Sequence, residues 1–150
     1  MPQKSTCQSA NESFVPTMRA LVRAYQAFSA YSESHIREFD LTPAQFDVIA
    51  TLGNTIGMTM GEIGEKTLIT KGTLTGVVDR LILKQLVTRE VSPENRRHVV
   101  VQLTPQGKQV FEQCFPVHIA HLKQRFEQLE RSQLETLADL LDQLRVAFQK

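Results

Sequence analysis

Two adjacent arginines, Arg96 and Arg97, stand in the stretch Ser92-Pro93-Glu94-Asn95-Arg96-Arg97-His98, where proline and asparagine signal a tight turn. Guanidinium groups stay charged at physiological pH and meet phosphate through a rigid planar fork. At a turn tip they suit a phosphate backbone or a narrow minor groove. Most charged tips are simply solvated, so the pair gains meaning only from what precedes it. Between Lys71 and Arg80 the polar positions are Lys71, Thr73, Thr75, Asp79 and Arg80, with Gly72 and Gly76 among them. Small, hydrogen-bonding and cationic groups on a surface of low relief match the donor and acceptor pattern of a major groove. A third group has different chemistry: Cys114, His118 and His121 are spaced i, i+4 and i+7. That spacing aligns a soft sulfur and two imidazoles along one helical face, as zinc or copper would require. Pro116 disturbs the helix and no fourth ligand stands beside them, so they remain a weak metal candidate and no cofactor is expected.

The elements that must position these groups follow from periodicity. Leu74, Val77, Val78, Leu81 and Ile82 form one core-facing helical stripe, which leaves Gly72, Gly76 and Asp79 at the centre of the opposite face. A glycine inside a helix costs about 1 kcal/mol relative to alanine. Two of them on one outer face imply close approach of another surface, either a neighbouring helix or a ligand. Val87–Val91 and His98–Leu103 are rich in β-branched residues and flank the arginine turn, which makes a hairpin. Capping signals at Thr42-Pro43, Thr59 to Glu62, Thr104-Pro105 and Ser132 to Glu135 divide the remainder into helices. Helices are expected near 11–38, 43–54, 60–66, 70–84, 105–128 and 132–148. The pair 60–66 and 70–84 has the dimensions of a helix-turn-helix, with Phe46, Ile49, Leu52, Ile63 and Leu68 completing its core.

The 150 residues carry a net charge of +1 and are 41% hydrophobic, enough for one good core and most simply one domain. Charge is nevertheless uneven. Residues 66–97 hold Lys66, Lys71, Arg80, Lys84, Arg89, Arg96 and Arg97 against Asp79, Glu90 and Glu94, a local +4. Positive potential is thus concentrated in the helix and hairpin that would meet phosphate. No apolar run approaches the ~20 residues needed to cross a bilayer. The first residues form no hydrophobic signal segment, and a cytoplasmic location with no membrane partner is expected. Two cysteines make no disulfide framework, and neither Cys7 nor Cys114 has a neighbouring cation or second thiol to mark it as redox-active. No phosphate-binding glycine loop, nucleophile elbow or carboxylate-pair motif points to an enzyme.

Apolar seams run along both ends of the chain. Phe14, Met18, Leu21, Tyr25 and Phe28 step by 4, 3, 4, 3, and Leu134, Leu137, Leu141, Leu144 and Phe148 by 3, 4, 3, 4. Such seams need partner helices, and a two-fold homodimer supplies them. Two symmetric heads would then read the half-sites of a pseudo-palindrome.

Taken in order, Leu41-Thr42-Pro43-Ala44-Gln45-Phe46, Leu74-Thr75-Gly76-Val77-Val78-Asp79-Arg80-Leu81, Leu86-Val87-Thr88-Arg89, the turn Ser92 to Arg97 and Leu103-Thr104-Pro105-Gln106-Gly107 resemble the MarR family of winged helix-turn-helix regulators. The resemblance covers residues 14 to 148. It implies a mainly α fold with a small β-wing: a winged helix-turn-helix head over 41–104 and dimerisation helices over 11–38 and 105–148. It also implies a recognition helix in the major groove and a wing arginine, Arg97, in the minor groove. The DNA-contacting set expected is Thr70, Lys71, Gly72, Thr73, Thr75, Gly76, Arg80, Asn95, Arg96 and Arg97. The first helix of this family borders a crevice, so Tyr25, Tyr31 and His35 are candidates for a pocket taking a small aromatic-acid or phenolic effector; at helical spacing such residues also serve as plain core.

Two positions depart from the family pattern. Asn95 stands where an aspartate usually orients the wing arginine, and its neutral amide lacks the charge assistance of a carboxylate. Gln85 stands where a glycine usually follows the recognition helix, at a position that wants a left-handed backbone. The function expected is a sequence-specific transcriptional regulator, a repressor that binds double-stranded DNA as a homodimer and is released by a small molecule. The alternatives are a winged-helix protein-interaction module without specific DNA binding, and a redox- or metal-sensing variant of the regulator.

Overall fold

A computed structural model describes residues 5–149. By contact the chain divides into two compact units, one ending at Pro43 and the other beginning at Ala44.

The first unit holds α1 (Thr6–Ala10) and α2 (Val15–Arg37). The short α1 has no apolar stripe and was not expected; a reciprocal capping box starts it, Ser5 Oγ accepting from the Gln8 N–H and Gln8 Oε1 accepting from the Ser5 N–H. Helix α2 therefore begins at Val15, later than the expected 11, with Pro16 in its first turn. Phe14, Met18, Leu21, Tyr25 and Phe28 all remain exposed.

The second unit is built on α3 (Pro43–Leu52), β1 (Met58–Thr59), α4 (Met60–Thr67), α5 (Lys71–Leu83), β2 (Val87–Val91), β3 (Val99–Leu103), α6 (Pro105–Phe126) and α7 (Arg131–Phe148). The strands form an antiparallel sheet in the order β1-β3-β2. Strand β2 pairs with β3 from Val87 opposite Leu103 to Val91 opposite Val99, as the hairpin reading requires. Strand β1 was missed: Met58 and Thr59 lie opposite Val101 and Val100, a pairing too short to leave a period in the sequence.

The core lies between α3, α4, α5 and the sheet. Its most deeply buried side chains are Val48, Ile49, Leu52, Ile63, Leu74, Val78, Leu81, Val87 and Val101. Of the five residues expected to complete the helix-turn-helix core, Phe46, Ile49, Leu52 and Ile63 are buried and Leu68 is not. Leu68 caps α4 in a left-handed conformation, φ 60°, and its side chain is 87% exposed. The left-handed turn carries Leu68 outward, whereas the following Ile69 is half-buried.

Local chemistry explains the remaining ends. The Thr59 hydroxyl accepts from the Glu62 N–H at 3.2 Å and starts α4. The Thr104 hydroxyl accepts from the Gly107 N–H at 3.0 Å and donates to the Gln85 carbonyl at 2.7 Å, tying the start of α6 to the end of α5. Gly107 is required there because a Cβ would run into the Leu86 carbonyl. Helix α6 continues through Pro116 to Phe126, although proline removes one backbone donor. The box expected at Ser132 is displaced: α7 starts at Arg131, with Glu130 and Gln133 capping each other. No described residue of α7 is buried. Among the described residues no helix is long and apolar enough to cross a membrane.

Candidate nucleic-acid interface

Helix α5 buries Leu74, Val77, Val78 and Leu81 and exposes everything on its opposite side. Lys71, Gly72, Thr73, Thr75, Gly76, Asp79 and Arg80 are all on that exposed side. The two glycines matter here. A Cβ placed on Gly72 or Gly76 would meet nothing within 4 Å, so none of the described helices uses their groove. The surface is open and carries hydroxyls, cations and the Asp79 carboxylate.

The start of α5 is also open. Thr70 is the N-cap residue, yet its hydroxyl donates to Thr73 Oγ1 at 3.0 Å and does not cap the backbone. The first N–H groups of the helix are thereby left to an external acceptor. Thr75 Oγ1 donates back to the Lys71 carbonyl at 3.2 Å, which fixes the hydroxyl and leaves its oxygen lone pairs outward.

At the other end α5 closes with a Schellman motif. The Leu86 N–H bonds the Leu81 carbonyl at 3.0 Å and the Gln85 N–H bonds the Ile82 carbonyl at 2.9 Å. Gln85 adopts φ 63°, the left-handed backbone anticipated for that position. A non-glycine residue there costs about 1–2 kcal/mol. The corner is additionally clasped by Lys84 Nζ, which donates to Oε1 of the buried Gln45 at 3.2 Å, and by an ion pair between Arg89 Nη1 of β2 and Asp79 Oδ1 of α5 at 2.8 Å.

The wing tip is organised by Asn95, but not as the resemblance led us to expect. Its Oδ1 accepts from the Arg97 backbone N–H at 3.0 Å, an Asx turn, while the Asn95 carbonyl accepts from His98 N–H at 2.9 Å. Asn95 thus shapes the loop and does not grip the Arg97 guanidinium. The side chains of Lys71, Arg80, Arg96 and Arg97 have no hydrogen bond or ion pair among the described residues. A cleft of about 720 Å³ runs between α4, the first turn of α5 and the tip end of the wing; Thr59, Glu65, Lys71, Arg97 and His98 are among its walls. The helix cation and the wing cation, 26 positions apart in sequence, therefore flank one groove.

The other candidates are not assembled. Tyr25 is 67% exposed on α2, whereas Tyr31 and His35 are partly buried on a different face, and His35 packs edge-on against Phe39 with ring centroids 4.9 Å apart. Six positions along a helix turn a side chain away, so Tyr25 does not share the face of Tyr31 and His35. The metal-ligand candidates are likewise not brought together. Among the described residues no group of three His, Cys, Asp or Glu is placed to hold a metal, and His118 is buried edge-on against Phe46, centroids 4.8 Å apart. Burial pushes the Cys114 thiol above its usual range, which lowers its thiolate fraction and its reactivity. Burial likewise raises the Asp47 carboxyl on α3. Sequence reasoning did not find the Asp79–Arg89 and Gln45–Lys84 contacts, because each joins different elements and neither has a spacing signature.

The comparisons agree with this geometry. A family model described as MarR family matches residues 39–98. The HTH-type transcriptional regulator MhqR of Bacillus subtilis (strain 168) is 31% identical over 121 residues, 81% of this chain and 83% of that protein. The multiple antibiotic resistance protein MarR of Escherichia coli (strain K12) is 30% identical over 139 residues, 92% of this chain and 96% of that protein. A mutant of E. coli MarR complexed with operator DNA superposes with a TM-score of 0.78 at 27% identity, covering 89% of this chain and 99% of that one. Bordetella bronchiseptica BpsR, whose DNA binding is regulated by 6-hydroxynicotinic acid, superposes with a TM-score of 0.76 at 28% identity over 87% of this chain and 98% of that one. Identity at this level along nearly the whole length, together with the shared winged head, means that the chain belongs to the MarR family of transcriptional regulators.

Proposed function

We propose that the protein is a homodimeric repressor that reads a pseudo-palindromic DNA duplex and is released by a small aromatic acid or phenol. Helix α5 enters the major groove, with Thr70, Lys71, Thr73, Thr75 and Arg80 meeting phosphates and base edges while Gly72 and Gly76 permit close approach. Arg97, aided by Arg96, follows the minor groove, and Asn95 holds the loop that presents them. The observation carrying this reading is the open face of α5 beside an unpaired wing arginine, with Lys71 and Arg97 on the walls of one cleft. A surface of small residues, hydroxyls and unpaired cations suits a hydrated anionic partner better than a desolvated protein one.

The dimer is supported by exposed apolar seams: Leu137, Leu140, Leu141 and Phe148 on α7, and Phe14, Met18 and Tyr25 on α2. Contiguous apolar stripes are rare on the surface of soluble monomers and mark interaction surfaces. The small-molecule release draws support from BpsR and from the aromatic residues Tyr31 and His35 on α2, with Tyr25 as an exposed neighbour. Such a regulator works in the cytoplasm, beside the DNA it reads.

The test is selection of duplexes from a random-sequence pool by the wild-type chain, followed by titration of the selected and a scrambled duplex at several salt concentrations. Affinity should fall steeply with salt while the preference for the selected duplex persists. Arg97→Ala should weaken the selected duplex by about 1–3 kcal/mol. Binding that is indifferent to sequence and salt would instead make the chain a protein-interaction module.

A further inference from the structure

Asp79 is out of place on a face meant for DNA. It lies at the centre of the open side of α5, between Gly72, Gly76 and Leu83, 100° per residue placing all four within one narrow sector. A carboxylate there faces the phosphates of any duplex that α5 enters, and like charges brought together with water displaced carry a large penalty. The chain supplies a counter-ion from another element. Arg89 stands on β2 opposite the fully buried Val101, and its Nη1 reaches Asp79 Oδ1 at 2.8 Å. The pair is solvent-accessible on both sides, with side chains 35% and 50% exposed for Arg89 and Asp79. Exposed pairs of this kind contribute little to folding. Its consequence is for the charge of the reading face and for the angle between that face and the wing, since the bridge spans the left-handed corner at Gln85.

We infer that Asp79 and Arg89 form a charge clamp that governs DNA discrimination: Arg89 is a positioning residue that neutralises Asp79 and locks the wing base to α5, and does not itself serve as a phosphate contact. This rests on the DNA-reading function proposed above. With the clamp closed, the cations left for phosphate on α5 and the wing are Lys71, Arg80, Arg96 and Arg97. With Asp79 neutralised by substitution, Arg89 becomes one more free cation, and binding gains strength without gaining sequence information.

A double-mutant cycle on the full chain tests this, using Arg89→Gln, which removes the guanidinium but keeps a polar side chain, and the isosteric Asp79→Asn. Its readouts are the affinities for the duplex selected by the wild type and for a scrambled duplex across a salt series, with urea unfolding of each variant as the folding control. Arg89→Gln should weaken the selected duplex about tenfold or more, because an uncompensated carboxylate then faces the phosphates, and its salt slope should drop by about one unit. Asp79→Asn should strengthen the scrambled duplex and steepen the slope by about one unit, so the preference for the selected duplex shrinks. The double variant should return to the wild-type slope and recover most of the lost affinity. If the double variant is as weak and as shallow in slope as Arg89→Gln, Arg89 contacts phosphate directly and the clamp is wrong. If the wild type shows no salt-dependent preference for any selected duplex, the DNA-reading function falls first and takes the clamp with it.

Discussion

Helices α5 and α7 are both amphipathic, and their sequences look alike in kind: apolar residues at three- and four-residue steps with polar residues between them. Their fates in the structure differ. Helix α5 satisfies its stripe within its own unit, burying Leu74, Val77, Val78 and Leu81, and what it leaves outside is mostly small, hydroxylated and cationic, with the Asp79 carboxylate held by Arg89 and Leu83 near its end. Helix α7 buries nothing, and what it leaves outside includes Leu137, Leu140 and Leu141. An apolar stripe in sequence therefore says only that a helix needs a partner; whether the partner lies within the chain is decided by which stripes reach one another. On the function proposed above, the residue types left over suit a hydrated polyanion at α5 and a second apolar face at α7.

The contrast can be broken most severely at the outer face of α7. Leu141→Asp places a charge in each copy of the seam and should weaken self-association about 1,000-fold, roughly 4 kcal/mol per dimer, read by sedimentation equilibrium. An unchanged mass at micromolar protein would show that the seam covers something other than a second copy. The inner face of α5 should respond in the fold and not in assembly. Leu81→Ala empties a fully buried site and should cost about 2–5 kcal/mol in urea unfolding. The outer face of α5 should do the reverse. Thr75→Ala is expected to leave the urea midpoint nearly unchanged while reducing discrimination between selected and scrambled duplex by about 1–3 kcal/mol; an equal loss on both duplexes would reassign Thr75 to a phosphate. The smallest effect belongs to the end of α5. Gln85→Gly relieves the left-handed backbone at φ 63° and should stabilise the protein by about 1 kcal/mol, seen as a raised urea midpoint at constant slope. A fall in stability would mean that the Gln85 side chain contributes more than its backbone costs.

Much of this molecule was decided by neighbours in sequence. The stripe of α5, the caps at Thr59 and Thr104, the β2–β3 hairpin and the left-handed corner at Gln85 depend on residues a few positions apart, and short-range steric and hydrogen-bonding rules suffice for them. The candidate reading face was legible for the same reason, since helical periodicity alone assigns Thr73, Thr75 and Arg80 to the side opposite the core. Tertiary structure decided what periodicity cannot express. Leu68 turned outward because a left-handed cap redirected it, and Met58 and Thr59 became a strand only because β3 lay within pairing distance. Asn95 took the Arg97 backbone in place of its guanidinium, His118 packed edge-on against Phe46, and Asp79 acquired Arg89 across a corner. Each of these depends on a second element arriving at a particular distance and angle, a property of the packed chain with no counterpart in the spacing of residues along it.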